Sequence, residues 1–179
     1  MTASAATRPP TSIAALSRLD RDVFAAVLGG VFEHSPWVAE RAYARAPFAD
    51  LDALHRAMVD AVDAASAAEK LALLRAHPDL AGREAQAGTL TESSTGEQAR
   101  AGLNALSAAE MRRITSLNQA YRARHDIPFI ACVGHYTKAG LFFEFERRVA
   151  NATEAEIAEA LVQVAAIARL RLAAMFPQG

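Results

Sequence analysis

Apolar residues recur along this chain at the spacing of helices, and short polar signals separate the runs. After Asp50, the residues Leu51, Leu54, Met58 and Val62 fall three or four apart, which puts them on one helical face. A second stripe, Ile157, Leu161, Val164, Ala165, Ala168 and Leu172, predicts a long final helix reaching about Met175. Arg171 lies at the edge of that stripe, about 70° from its centre at 100° per residue. Three Ser/Thr-x-x-Glu patterns, Ser66–Glu69, Ser107–Glu110 and Thr153–Glu156, read as capping boxes that open helices.

Other boundaries follow from single residues. Ser12 predicts the cap of a short first helix, and a segment from Asp20 ends at Gly29–Gly30, a C′ signal. Ser35–Pro36 opens WVAERAYARA, which Pro47 ends. The helix from Ser66 carries Leu71, Leu73 and Leu74 and stops at His77, because a residue before proline is pushed out of the α region. Residues 79–93 read as a loop, followed by a helix from about Thr95 to about Ala105 and another from Ser107 to about Arg124. Ile127–Val133 is a short apolar run behind a proline and reads as buried extended chain. Gly134–Lys138 reads as a turn, and Ala139–Val149 as a helix. The expected class is all-α, one multi-helix domain over residues 12–176, with residues 1–11 an exposed tail that lacks the apolar core of a signal peptide.

Composition narrows the function classes. Hydrophobic residues make up 52% and charged residues 22%, which supports a packed globular core. With 19 basic and 20 acidic side chains, the chain has no basic excess for nucleic acid, and charges interrupt every apolar run short of a membrane span. Cys132 is the sole cysteine, so neither a disulfide nor a cysteine-based metal site forms within one chain, and a reducing, cytoplasmic location follows as an expectation.

The stretch Arg75–Leu103 holds the chemistry. His77 precedes Pro78 at a helix end, where a histidine serves equally well as a cap or as a general acid/base. Pro78 pins the backbone beside it. Ser94 reads as a cap, with Glu97 and Gln98 in the first turn of the helix it precedes; a carboxylate near free N–H groups there either caps or meets a ligand's N–H groups, and Ser94 and Gln98 are a cap and a surface residue or else line a polar pocket. Arg171 is either an internal ion pair or a fixed cation for a substrate carboxylate. Phe129, Ile130, Ala131, Cys132 and Val133 are core by default, but irregular backbone there leaves N–H and C=O groups able to bond a flat heterocycle. His34, His55, His125 and His135 share no metal spacing, no HExxH or CxxC pair occurs, and His77 with Asp79 has no visible partner set. Nucleotide loops and a nucleophile elbow are absent as motifs.

Several ordered motifs together resemble OHCU decarboxylase, the 2-oxo-4-hydroxy-4-carboxy-5-ureidoimidazoline decarboxylase family. They are FEHSPWVAERA at Phe32–Ala42, HPDL at His77–Leu80, S-x-x-E-Q at Ser94–Gln98 with AGL at Ala101–Leu103, LNQAY at Leu117–Tyr121, PFI at Pro128–Ile130 and IARLRL at Ile167–Leu172. The resemblance implies an all-α homodimer without metal or organic cofactor. It implies decarboxylation of a ureidoimidazoline to (S)-allantoin in urate catabolism, functionally coupled to urate oxidase and hydroxyisourate hydrolase. It places the catalytic histidine on His77, the acid on Glu97, and substrate contacts on Pro78, Ser94, Gln98, Phe129–Val133 and Arg171. One departure stands out: family members commonly carry Arg or Lys directly after the FIxxV stretch, where this chain has Gly134 and then His135. The alternative it keeps open is a ureide-binding protein on the same fold with altered catalysis.

Overall fold

The computed structural model describes residues 10–177. Most of the expected tail, residues 1–9, lies outside the described residues. The described residues are helical with irregular connections and contain no strand. They fall into two compact units. One comprises residues 10–64 with 169–177, and the other residues 65–168.

In the first unit, α1 (Ile13–Leu16) opens at Ser12, whose hydroxyl accepts from the Ala15 N–H at 3.2 Å. α2 (Arg21–Leu28) ends at Gly29 with φ −60°, so the glycine is not a left-handed cap as the sequence predicts. It is needed for another reason: a Cβ there would lie 2.9 Å from the Ala25 carbonyl oxygen. α3 (Trp37–Ala42) runs on into a 3-10 turn at Tyr43–Arg45 and stops before Pro47. α4 (Leu51–Asp63) is capped by the Asp50 carboxylate and buries the predicted stripe Leu51, Leu54, Met58 and Val62. Phe24 packs between Tyr43 and Phe48, with ring centroids 5.3 and 5.9 Å away.

In the second unit, α5 (Ala67–Arg75) opens on the Ser66–Glu69 capping box and buries Leu73 and Leu74. The expected loop 79–93 instead holds α6 (Arg83–Ala87), a five-residue helix too short to show a period in sequence. Gly82 and Gly88 mark its two ends, Gly88 with φ +69°. α7 (Glu92–Arg100) begins before the expected Thr95, because the Thr91 hydroxyl accepts from the Ser94 N–H and caps the helix. It also ends early, at the left-handed Gly102, before a 3-10 turn at Leu103–Ala105. α8 (Ala108–His125) has the predicted capping box and closes on a left-handed Asp126. α9 (Lys138–Val149) is capped by Thr137.

α10 (Thr153–Met175) contributes its residues up to Ala168 to this unit and the rest to the first. Its fully buried line is Glu156, Ala160, Val164 and Ala168. The third Ser/Thr-x-x-Glu pattern is therefore used differently from the other two. Thr153 Oγ1 meets the His125 ring at 3.1 Å and the Arg124 carbonyl at 3.4 Å. Glu156 turns inward to Arg148, Tyr121 and Asn151 instead.

Glu110 ties the start of α8 to Lys138 at the start of α9, with Nζ 2.6 Å from Oε1. The Lys138 hydrogen bond, followed by those from Ser107, holds the Glu110 carboxyl at about 2 rather than 4.5. A lowered folded-state pKa contributes stability above the unfolded value, and that contribution is lost as pH falls through the folded one. Glu110→Gln is thus expected to lower the Tm at pH 6, with the gap to wild type closing between pH 4.5 and about 2. Thermal melts across that range check it, and a gap independent of pH would refute it.

Candidate functional site

His77 lies just past the end of α5 and is 7% exposed. Its Nδ1 is 2.9 Å from the Leu73 carbonyl oxygen, one helical turn back. A carbonyl only accepts, so Nδ1 carries a proton, and whenever the ring is neutral its lone pair is on Nε2. The imidazole is thereby fixed in direction and tautomer by its own helix. That is what a proton-transfer group requires.

Beyond His77 the chain makes a tight, strained turn. Ala81 is buried with φ +48°, a conformation that a side chain with a Cβ rarely adopts. Gly82 follows, where a Cβ would lie 2.7 Å from the Asp79 Cβ. The turn is held at each residue. Asp79 accepts from Arg122 Nε at 2.8 and 3.1 Å, Leu80 O from Asn118 Nδ2 at 2.9 Å, and Ala81 O from Gln86 Nε2 at 3.0 Å. The Ala81 N–H donates to Gln98 Oε1 at 2.8 Å.

Gln98 therefore joins α7 to the His77 turn, and α7 also packs against the 3-10 turn Val133–His135. Ser94 and Gln98 are buried on α7, and Glu97 is half-buried. Because Thr91 caps the helix, Glu97 falls in its second turn, away from the free N–H groups of the start where the sequence reading put it. Pro78 is half-buried beside His77.

The run Ile127–Val133 is buried throughout, as expected, and is irregular, its last residue entering the 3-10 turn Val133–His135. Part of its backbone is already engaged. Ile130 O accepts from Arg148 Nη1 at 2.9 Å, and the Cys132 N–H donates to Gln163 Oε1 at 2.8 Å. Phe129 stacks on Phe145 with centroids 3.8 Å apart and meets Tyr121 edge-on, so its side chain is core. Gly134 and His135 are exposed in the 3-10 turn that follows.

Arg171 lies in the first unit. Its Nη1 donates to Glu33 Oε2 at 2.8 Å and to the Gly30 and Val31 carbonyls at 3.3 and 3.4 Å, with both charged groups buried. Its charge is therefore balanced by a carboxylate from the FEHS motif. Among the described residues, no group of three or more His, Cys, Asp or Glu side chains is placed to hold a metal ion, and no helix is long and apolar enough to cross a membrane.

The model of the OHCU decarboxylase family matches residues 17–173. The chain belongs to this family. It is 42% identical over 161 residues to the Haloferax volcanii 2-oxo-4-hydroxy-4-carboxy-5-ureidoimidazoline decarboxylase, covering 90% of this chain and 94% of that one. A uric acid degradation bifunctional protein from a Bacillus species (strain TB-90) is 36% identical, and the match covers 92% of this chain but 32% of that longer protein. Among solved structures, an (S)-allantoin synthase superposes with a TM-score of 0.72 at 32% identity, covering 92% of this chain and 54% of that one. An OHCU decarboxylase crystallised in the presence of (S)-allantoin shares the fold, with a TM-score of 0.63 at 18% identity.

Two groups of residues around these candidate positions escape a reading by motif. Asn118 and Gln86 hold the turn, and Arg148 with Glu156 anchors the buried run. A signal for the second group was present. Arg148 falls on the same α9 face as Leu141, Phe142 and Phe145, and Glu156 on that of Ala160, Val164 and Ala168, so each is a charge on an apolar stripe.

Proposed function

We propose that this chain, as one domain over residues 12–176, decarboxylates 2-oxo-4-hydroxy-4-carboxy-5-ureidoimidazoline to (S)-allantoin in urate catabolism. The observation that carries the reading is family membership along almost the whole chain, with the HPDL histidine buried and locked in one tautomer. In the reaction one C–C bond breaks, CO2 leaves, and its electron pair passes into the ring as an enol-like system. A proton is then added to one face of a ring carbon. His77 Nε2 is the base that takes the substrate hydroxyl proton and the site that returns a proton to carbon. Glu97 orients the ring or ureido N–H groups, assisted by Ser94, Gln98 and Pro78. Backbone groups of Phe129–Val133 offset developing negative charge. No metal or organic cofactor takes part. The enzyme acts as a cytoplasmic homodimer, downstream of urate oxidase and hydroxyisourate hydrolase.

The test is circular dichroism of freshly oxidised urate treated with hydroxyisourate hydrolase, recorded with and without this protein. The (S)-allantoin signal is expected to rise well ahead of the spontaneous reaction. A folded protein that leaves the spontaneous rate unchanged would overturn the reading in favour of a ureide-binding protein without turnover.

A further inference from the structure

α8 buries Ile114, Asn118, Tyr121 and His125 along one face. Asparagine is a weak helix former and is costly to bury, so its place in that line calls for a reason. Its Nδ2 donates to the Leu80 carbonyl at 2.9 Å. Since the carbonyl is an acceptor only, the carboxamide cannot be turned round, and Oδ1 faces away. Oδ1 is buried with no hydrogen-bond partner among the described residues. The side chain thus carries an unsatisfied acceptor in order to make one bond, to the residue before the left-handed Ala81.

That bond is one of three from carboxamides on three helices. Gln86 of α6 takes the Ala81 carbonyl, Gln98 of α7 the Ala81 N–H, and Asn118 of α8 the Leu80 carbonyl. The turn they enclose begins at His77–Pro78, and α7 carries Ser94 and Glu97.

We propose that Asn118 is a positioning residue for His77: by tying Leu80 to α8 it holds the strained turn, and the imidazole with it, in place relative to Ser94 and Glu97 on α7. This rests on the decarboxylase reading for its kinetic consequence but not for its structural one. Asn118→Leu removes one orphaned acceptor, Oδ1, and creates another at the Leu80 carbonyl, so the exchange is nearly neutral for folding. A residue serving stability alone would not behave so. Asn118→Asp keeps the shape but sets an acceptor against the Leu80 carbonyl.

The experiment compares wild type, Asn118→Leu, Asn118→Asp and the double variant Asn118→Leu/Ala81→Gly. The Tm of Asn118→Leu is expected within about 4 °C of wild type. Amide exchange at Ala81 and Gly82 is expected to quicken by about tenfold or more in both single variants. kcat is expected to fall about 10- to 100-fold, as for a misplaced reacting group, while affinity for (S)-allantoin, used as the probe, changes by less than about threefold. Ala81→Gly, which removes the Cβ penalty at φ +48°, is expected to restore part of the lost kcat.

Unchanged exchange or unchanged kcat would overturn the proposal. So would an allantoin affinity that falls in step with kcat, since Asn118 would then touch the ligand. If Asn118→Leu fails to fold, Asn118→Asp carries the test; if neither folds, Asn118 is a stability residue and the proposal is wrong. If wild type itself shows no turnover, the decarboxylase reading has failed, and the exchange rates alone judge the turn.

Discussion

Replacing His77 with alanine is expected to abolish the enzymatic acceleration of ureidoimidazoline decarboxylation while leaving the helices in place. The two effects separate because of where the residue stands. His77 follows the last turn of α5, and its hydrogen bond to the Leu73 carbonyl contributes about 1 kcal/mol to folding. Its loss for chemistry is far larger. Positioned acid–base groups contribute roughly 10²–10⁴ in rate, and no other histidine lies in the His77–Ala81 turn or on α7. The measurement is the rate of appearance of the (S)-allantoin dichroism, with far-ultraviolet dichroism as the control for folding. A folded His77→Ala protein that still turns over at the wild-type rate would sink the assignment.

The second large effect falls on stability. Arg148 and Glu156 are both fully buried, with Nε 2.9 Å from Oε2. Around them, Asn151 donates to Glu156 Oε1 at 2.6 Å and Tyr121 donates to Oε2. Burial, and then the Glu156 hydrogen bond, push the Tyr121 phenol up from its ordinary value, so it stays protonated and remains a donor. The Arg148 guanidinium also bonds Ile130 O and lies 4.7 Å from the Phe129 ring centroid. Arg148→Met strands a buried carboxylate, which costs about 3–5 kcal/mol, or roughly 6–20 °C in Tm for a chain of this size. Adding Glu156→Gln removes the stranded charge and should recover much of that loss, because the penalty belongs to the unpaired ion more than to the bond. Thermal and urea melts of both single variants and the double variant decide it. Strictly additive losses would show that the pair is not coupled. Since Arg148 holds Ile130, the single variant should also loosen the buried run that carries proposed substrate contacts.

These two sites show what could be read in advance. The helix end at His77 was legible because local chemistry sets it: a proline next door stops the helix, and the HPDL pattern is short and contiguous. Arg148 gave a weaker signal, a charge on the apolar face of α9, because in sequence it is also one more basic residue in the last turn of a helix, where cations are ordinary. Glu156 was misread for the same kind of reason. A Ser/Thr-x-x-Glu pattern forms a capping box only when nothing nearer claims the carboxylate, and here Arg148, Tyr121 and Asn151 claim it.

From the amino-acid sequence alone came the features carried by local rules: the all-α class, the Ser66 and Ser107 capping boxes, the apolar stripe of α4, the burial of the run after α8 and the His77–Pro78 break. Helix periods, caps and proline act over a few residues, so they are written where they operate. Tertiary structure decided the rest. It set the start of α7 at Thr91, the grip of Asn118 on Leu80 and the pairing of Arg171 with Glu33. The last two join groups 38 and 138 residues apart. No local pattern specifies such partners. They are chosen when burial forces each polar group to find whichever complement the packed chain brings within reach.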